Sequence, residues 1–176
     1  MLKRLLPLVL LLFFTAGAPA ETRNPDAHFF DQSFGDLKAE LANARKDGKE
    51  GILVMFEMEG CPYCRAMREK VLSQSEVQDY YRKHFAIFTF DVKGDTALVD
   101  FNGKATIEKH FAAELQAKYT PTFQFFDLSG KPTARFTGVA KGGVREFLAL
   151  GRYVVEKDFR NGTFADYWKK QQAPAR

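Results

Sequence analysis

Apolar positions recur along this chain in two rhythms, and their alternation is the first guide to its architecture. Phe34, Leu37, Leu41 and Ala44 follow helical spacing, with Ser33 placed to cap the start and Gly48 near the stop. Gly51-Ile-Leu-Val-Met-Phe56 is instead a short unbroken apolar run, the mark of a strand buried on both faces. Helical structure is predicted again from Pro62 to about Leu72, and over Val77, Tyr80, Tyr81 and Phe85. Ala86-Ile-Phe-Thr-Phe-Asp91 reads as a second interior strand. Turn signals at Gly94-Asp95 and Asn102-Gly103 surround Leu98, Val99 and Phe101, so Lys93–Ala105 reads as an inserted loop or short hairpin. Ile107, Phe111 and Leu115 mark a helix ending near Tyr119. Thr122–Asp127 and Thr133–Thr137 are strands joined by Leu-Ser-Gly-Lys, a hairpin loop containing Gly. A last long helix begins after Gly143 and carries Val144, Phe147, Leu148 and Val155. A terminal turn or helix carries Phe164, Tyr167 and Trp168.

The order helix, strand, helix, strand, helix, hairpin, helix predicts a layered α/β domain with a mixed sheet. Phe123 and Phe125 belong to its core, and Tyr80, Tyr81 and Trp168 read as packing residues. The domain is assigned to residues 33–170. Residues 21–32 are polar and irregular and read as a flexible N-terminal arm, and residues 171–176 as a C-terminal tail.

The start of the chain breaks the pattern. Lys3 and Arg4 precede an apolar run from Leu5 to Phe14, and Ala18 and Ala20 supply the small-x-small signature of a cleavage site. Residues 1–20 are therefore expected to be a signal peptide cut before Glu21. The run is short of the roughly 18–20 residues of a membrane-spanning helix and contains Pro7. The mature protein is expected in the periplasm, with membrane contact only through the cleaved leader.

Charge narrows the function classes. The formal net charge is +4, but without the leader 24 basic residues face 22 acidic ones. They alternate, as in KDGKE, and form no one-signed run, so nucleic-acid binding is not expected.

The chain has two cysteines, three positions apart, directly after the first buried strand. Closing so short a loop constrains the unfolded chain least, which favours a chemical role for the pair over a structural one. Cys61-Pro62-Tyr63-Cys64 suits a helix start, with Cys61 as N-cap and Pro62 at the first position, where a missing N–H costs nothing. The Cys61 sulfur then faces the unpaired N–H groups and the positive end of the helix, which favours thiolate over thiol. Cys64 lies on the same side of the first turn, its Cα about 5 Å away and within disulfide range. The thiolate of Cys61 would attack a substrate disulfide, and Cys64 would resolve the mixed disulfide. Reversal of the same steps oxidises a dithiol.

Other uses of Cys-x-x-Cys fit less well. A closed zinc site wants four ligands, whereas there is no second cysteine pair and His28, His84 and His110 are scattered. Haem attachment needs His after the second cysteine, where Arg65 stands. No metal or other cofactor is expected. A non-catalytic module binding Cu(I) or a partner protein stays open, because sulfur ligands suit Cu(I).

Phe56-Glu-Met-Glu-Gly-Cys-Pro-Tyr-Cys64, Tyr119-Thr-Pro-Thr-Phe123 and the hairpin Phe126–Lys131 together resemble the thioredoxin-like family, and more closely the periplasmic SoxW-type thioredoxins of bacterial sulfur oxidation. The resemblance runs from about Phe34 to Trp168. It implies a thioredoxin-like fold and, at Pro121 after Thr120, a cis-proline facing the cysteine pair. It implies a reductase that keeps a protein or sulfur-carrier thiol reduced, with electrons from a membrane thiol donor. A disulfide-forming or isomerising direction remains the alternative. The chain departs from the family at Met55, where thioredoxins commonly bury an Asp, and at Glu57-Met58-Glu59-Gly60, where they commonly carry Trp. If Cys64 needs a base, Glu57 or Glu59 is the candidate, through water. The Pro-Tyr dipeptide resembles that of glutaredoxins and leaves the redox potential open.

Overall fold

The computed structural model describes residues 21–173. The leader assigned to residues 1–20 and the last three residues of the tail lie outside them. A short N-terminal helix α1 (Pro25–His28) leads to α2 (Leu37–Lys46), β1 (Gly51–Glu57) and α3 (Pro62–Met67). A π-helical turn (Arg68–Leu72) continues α3, followed by α4 (Ser75–His84) and β2 (Phe85–Asp91). Next come β3 (Ala97–Val99), β4 (Ala105–Ile107), α5 (Glu108–Glu114), β5 (Thr122–Asp127) and β6 (Pro132–Thr137). Helix α6 (Gly143–Val155), a 3₁₀ turn (Asp158–Arg160) and α7 (Phe164–Gln172) complete the chain.

The main sheet has the order β2-β1-β5-β6, with β1 parallel to β2 and antiparallel to β5, and β5 antiparallel to β6. It is the mixed sheet that the element order predicts, and the fold is thioredoxin-like. β1 lies between two partners and is covered on both faces, which is why it is an unbroken apolar run. Leu53 and Met55 point into one apolar cluster with Phe85, Ile87, Phe123, Phe125 and Phe147. Ile52, Val54 and Phe56 point into the other with Leu37, Phe88, Phe111 and Phe126. Those five β1 side chains are fully buried, each stabilising the fold by about 1.5–3 kcal/mol. The Lys93–Ala105 insertion forms the separate hairpin β3–β4, which shields the second cluster through Leu98.

Four expectations need correction. Helix α2 is capped by Asp36, whose carboxylate accepts the Ala39 N–H at 2.9 Å, and not by Ser33, which accepts from Gly35. The left-handed φ of +82° at Gly35 separates Phe34 from the helix, so Phe34 is fully exposed rather than part of its buried stripe. Helix α5 stops at Glu114, well before Tyr119, because Gln116 adopts φ +54° and Ala117 N–H returns to the Ala112 carbonyl at 2.9 Å. That is a Schellman closure with Gln in the place usually held by Gly.

The fourth concerns residues 21–32, which are seated on the domain rather than loose. Arg23 N–H donates to Ser73 O at 2.7 Å and Gln78 Nε2 to Arg23 O at 3.0 Å. Asp31 N–H donates to Ile87 O at 2.7 Å, and Ile87 N–H returns a bond to the Asp31 carboxylate at 2.9 Å. The arm thus covers part of the exposed edge of β2, a position that otherwise invites pairing with another chain. Phe29 and Phe30 are buried in the first cluster. Likewise α7 runs to Gln172, past the boundary drawn at residue 170. No helix among the described residues is long and apolar enough to cross a membrane.

Candidate active site

β1 delivers the chain to the C-terminal edge of the sheet, where Met58–Gly60 turn it into α3. Gly60 takes φ +73°, a conformation that favours glycine, and Cys61 N–H closes the turn onto Met58 O at 3.2 Å. Cys61 is the N-cap of α3 and Pro62 its first residue. The Cys61 sulfur accepts the Cys64 N–H at 3.1 Å, one of the donors a helix start leaves without a partner. Cys61 and Cys64 are joined as a disulfide with their Cα atoms 5.3 Å apart. Both are buried, and both border the first apolar cluster.

The segment before β5 completes the site from 59 positions away. Thr120 Oγ1 donates to Cys61 Sγ at 3.2 Å, and the Thr120 carbonyl oxygen lies 3.6 Å from the same sulfur. The Thr120–Pro121 peptide is cis. Pro121 is buried and its carbonyl accepts Gly138 N–H at 2.8 Å, which fixes the segment to the end of β6. Tyr63 and Tyr119 stand on either side, 64% and 74% exposed. The structure therefore brings together Cys61, Pro62, Tyr63, Cys64, Thr120 and Pro121.

Chemically, one sulfur holds two donors while its partner lies deeper. After reduction, the Cys64 N–H and the Thr120 hydroxyl would both stabilise charge on Cys61, since hydrogen bonds to an ionised acceptor are the strong ones. Cys64 is left as the thiol that closes the ring.

Glu57 and Glu59 do not share one role. Glu59 is exposed in the turn. Glu57 is engaged: Arg68 grips it through Nε at 3.0 Å and through a second guanidinium nitrogen, and Thr89 Oγ1 donates to it at 2.7 Å. Glu57 is thus the ion-pair partner of Arg68, its carboxylate held by a two-pronged guanidinium contact and by the Thr89 hydroxyl. Met55 is fully buried in the first cluster and supplies no proton relay.

Arg68 is the site-side residue that sequence reasoning missed. Its guanidinium also binds Asp26 at 2.5 Å and lies over the Phe30 ring, 4.6 Å from the centroid. Burial pulls its pKa down, but the hydrogen bonds and charges of Glu57 and Asp26 outweigh that and hold it above its ordinary value. The available signal was spacing: Arg68 follows Cys64 by four positions, one helical turn along the same face.

The sequence model of one family, described as a thioredoxin-like domain, matches residues 37–154. No curated protein matches the sequence. Among solved structures, a thioredoxin from Thermus thermophilus is 26% identical, with 74% of this chain and 89% of that one covered and a TM-score of 0.56. A thioredoxin-fold protein from Helicobacter pylori is 22% identical over 70% of this chain and 80% of that one, with a TM-score of 0.55. The DsbH oxidoreductase is 18% identical over 80% of this chain and 95% of that one, with a TM-score of 0.56.

Proposed function

The chain belongs to the thioredoxin-like family and is a thiol–disulfide oxidoreductase, and from that premise we propose that it works outside the cytoplasm as a reductase that keeps a protein or sulfur-carrier thiol reduced. One observation carries the chemistry: Cys61 Sγ caps α3 and receives both the Cys64 N–H and the Thr120 hydroxyl. Reduced Cys61 attacks the partner's disulfide and releases one of its sulfurs as a thiolate that takes up a proton. Cys64 then loses its proton, attacks Cys61 and expels the second sulfur, so two electrons pass to the partner and the Cys61–Cys64 bond re-forms. The similarity to the Thermus thioredoxin supports the reducing direction.

The leader expected at residues 1–20 supports export, and the resemblance to SoxW-type thioredoxins supports a partner in sulfur oxidation. An exported reductase needs a supply of electrons, and a membrane thiol donor is the source that this reading assigns. Equilibration with glutathione tests the direction, because a potential near about −270 mV belongs to a reductant and one near about −120 mV to an oxidant. A Cys64→Ser variant expressed in the native host should hold its substrate as a mixed disulfide on Cys61. A variant that traps nothing and still turns over disulfides would overturn the two-cysteine mechanism.

The second reading, a disulfide-forming or isomerising catalyst, draws on the same two donors, since whatever stabilises the Cys61 thiolate favours the reduced form and makes the protein more oxidising. The potential measurement separates the two.

A further inference from the structure

Beside the cysteine turn lies a cleft lined by Asp26, Glu57, Glu59, Asp91 and Glu108, five carboxylates against the one cation of Arg68. Met58 and Glu59, the turn residues directly before Gly60 and Cys61, form part of its wall. Arg68 is thus the cation that opposes those carboxylates in the wall of the cleft. Its side chain and that of Glu57 are each about one-fifth exposed, so solvent screens the pair only in part. Glu57 is four positions before Cys61, within about 14 Å even for a fully extended chain.

Arg68 also closes a mechanical loop. It leaves the end of α3, whose start carries Cys61 and Cys64, and returns to Glu57 at the end of β1. The same guanidinium reaches Asp26 and Phe30 of the N-terminal arm. Helix α3, the end of β1 and the N-terminal arm are thus tied by one side chain, and the Thr89 hydroxyl of β2 also holds the Glu57 carboxylate. None of these groups has a part in the exchange reaction itself.

We propose that the Arg68–Glu57 pair is a positioning and charge-balancing device that sets the redox potential of the Cys61–Cys64 disulfide. It takes the place, in a site whose strand offers only Met55, of a titrating side chain buried beneath the cysteines. This inference rests on the oxidoreductase reading above.

A purely structural pair and a charge-balancing pair differ in the sign of their mutant effects. Two glutathione thiols reduce the disulfide to a Cys61 thiolate and a Cys64 thiol, giving one glutathione disulfide and releasing one proton. Removing the cation by Arg68→Gln leaves the carboxylates unopposed, destabilises the thiolate and moves this equilibrium toward the protein disulfide. Removing the anion by Glu57→Gln takes one negative charge out of the cleft, leaves Arg68 less fully neutralised and moves the equilibrium toward the dithiol.

The experiment equilibrates the full mature chain and each variant in glutathione buffers, with thermal unfolding recorded in parallel. The expected shifts are about threefold in equilibrium constant, in opposite directions, or roughly 14 mV each for a two-electron couple. Arg68→Gln combined with Glu57→Gln should return close to the parent. Shifts of the same sign, or none, would overturn the proposal. Should Arg68→Gln fail to fold, Glu57→Gln decides alone: a shift toward dithiol supports the proposal, and any other result overturns it. A parent protein that does not exchange with glutathione at all would instead defeat the oxidoreductase reading.

Discussion

Thr120 and Cys61 are 59 positions apart in sequence, yet the threonine hydroxyl donates to the cysteine sulfur at 3.2 Å. Hydrogen bonds to charged groups contribute about 1.5–3 kcal/mol, more than most neutral ones, so this contact matters most when the sulfur is ionised. Thr120→Val keeps the shape and removes the donor. Its Cys61 thiolate should form at higher pH than in the parent, and reaction with an alkylating agent at neutral pH should slow by about three- to tenfold. Thr120→Ser should retain the parent behaviour. A Thr120→Val protein whose alkylation profile overlays the parent would show that the helix start alone controls the sulfur.

The N-terminal arm contributes to stability. Phe29 is fully buried, with its ring 5.1 Å from Phe30 and 5.8 Å from Tyr81 between centroids. Phe29→Ala removes a large side chain from a packed cluster and should cost about 3–5 kcal/mol, measured by urea unfolding. A loss below 1 kcal/mol would mean that the arm is only lightly attached.

Much of this fold is legible in the sequence, and the exceptions have physical causes. The unbroken apolar runs of β1 and β2 announce strands covered on both faces, and Cys-Pro-Tyr-Cys announces a capped helix. The arm is not legible because Phe29 and Phe30 sit between polar residues with no periodicity, and their burial depends on backbone bonds to β2 and to the Ser73 turn. The end of α5 is hidden because Gln116 holds a conformation that glycine usually marks. The pairing of Glu57 with Arg68 is equally invisible, since it needs the return of α3 over the end of β1. By contrast, the meeting of Thr120 with Cys61 came from the resemblance to a family and not from spacing.

Helix α6 crosses α4 closely at Gly151. A Cβ there would lie 2.7 Å from Tyr80 Cε1 and 3.1 Å from the ring of Tyr81. Tyr81 is fully buried, stacked on Phe147 with centroids 4.6 Å apart, and its hydroxyl donates to Phe147 O at 2.6 Å. It has no room to retreat. Alanine is the better helix former by up to about 1 kcal/mol, yet overpacking costs about 1–3 kcal/mol, so Gly151→Ala should be destabilising on balance. Combined with Tyr80→Ala, the same change should cost less than it does alone. Additive losses in that cycle would contradict the close crossing.

Acid sensitivity should be traceable in part to the hairpin between β5 and β6. Asp127 stands at its start, and its carboxylate accepts from Ser129 N–H at 2.8 Å, Ser129 Oγ at 2.6 Å and Lys131 N–H at 3.1 Å. Burial pushes the carboxyl upward, but the bonds from Ser129 and Lys131 and the nearby Lys131 charge outweigh it, and the group is held below its ordinary value of 3.8. A depressed carboxyl stabilises the folded state above the unfolded-chain value and loses that contribution as pH falls through the folded one. Partial exposure screens the effect, so under about 1 kcal/mol is expected at neutral pH. Asp127→Asn keeps an acceptor and removes the charge. Its urea midpoint should therefore lie slightly below the parent at pH 7, and the two should converge as the pH falls below 3.8 and through the folded-state value. A gap that stays constant from pH 7 to pH 2.5 would assign the loss to altered hairpin geometry and not to ionisation.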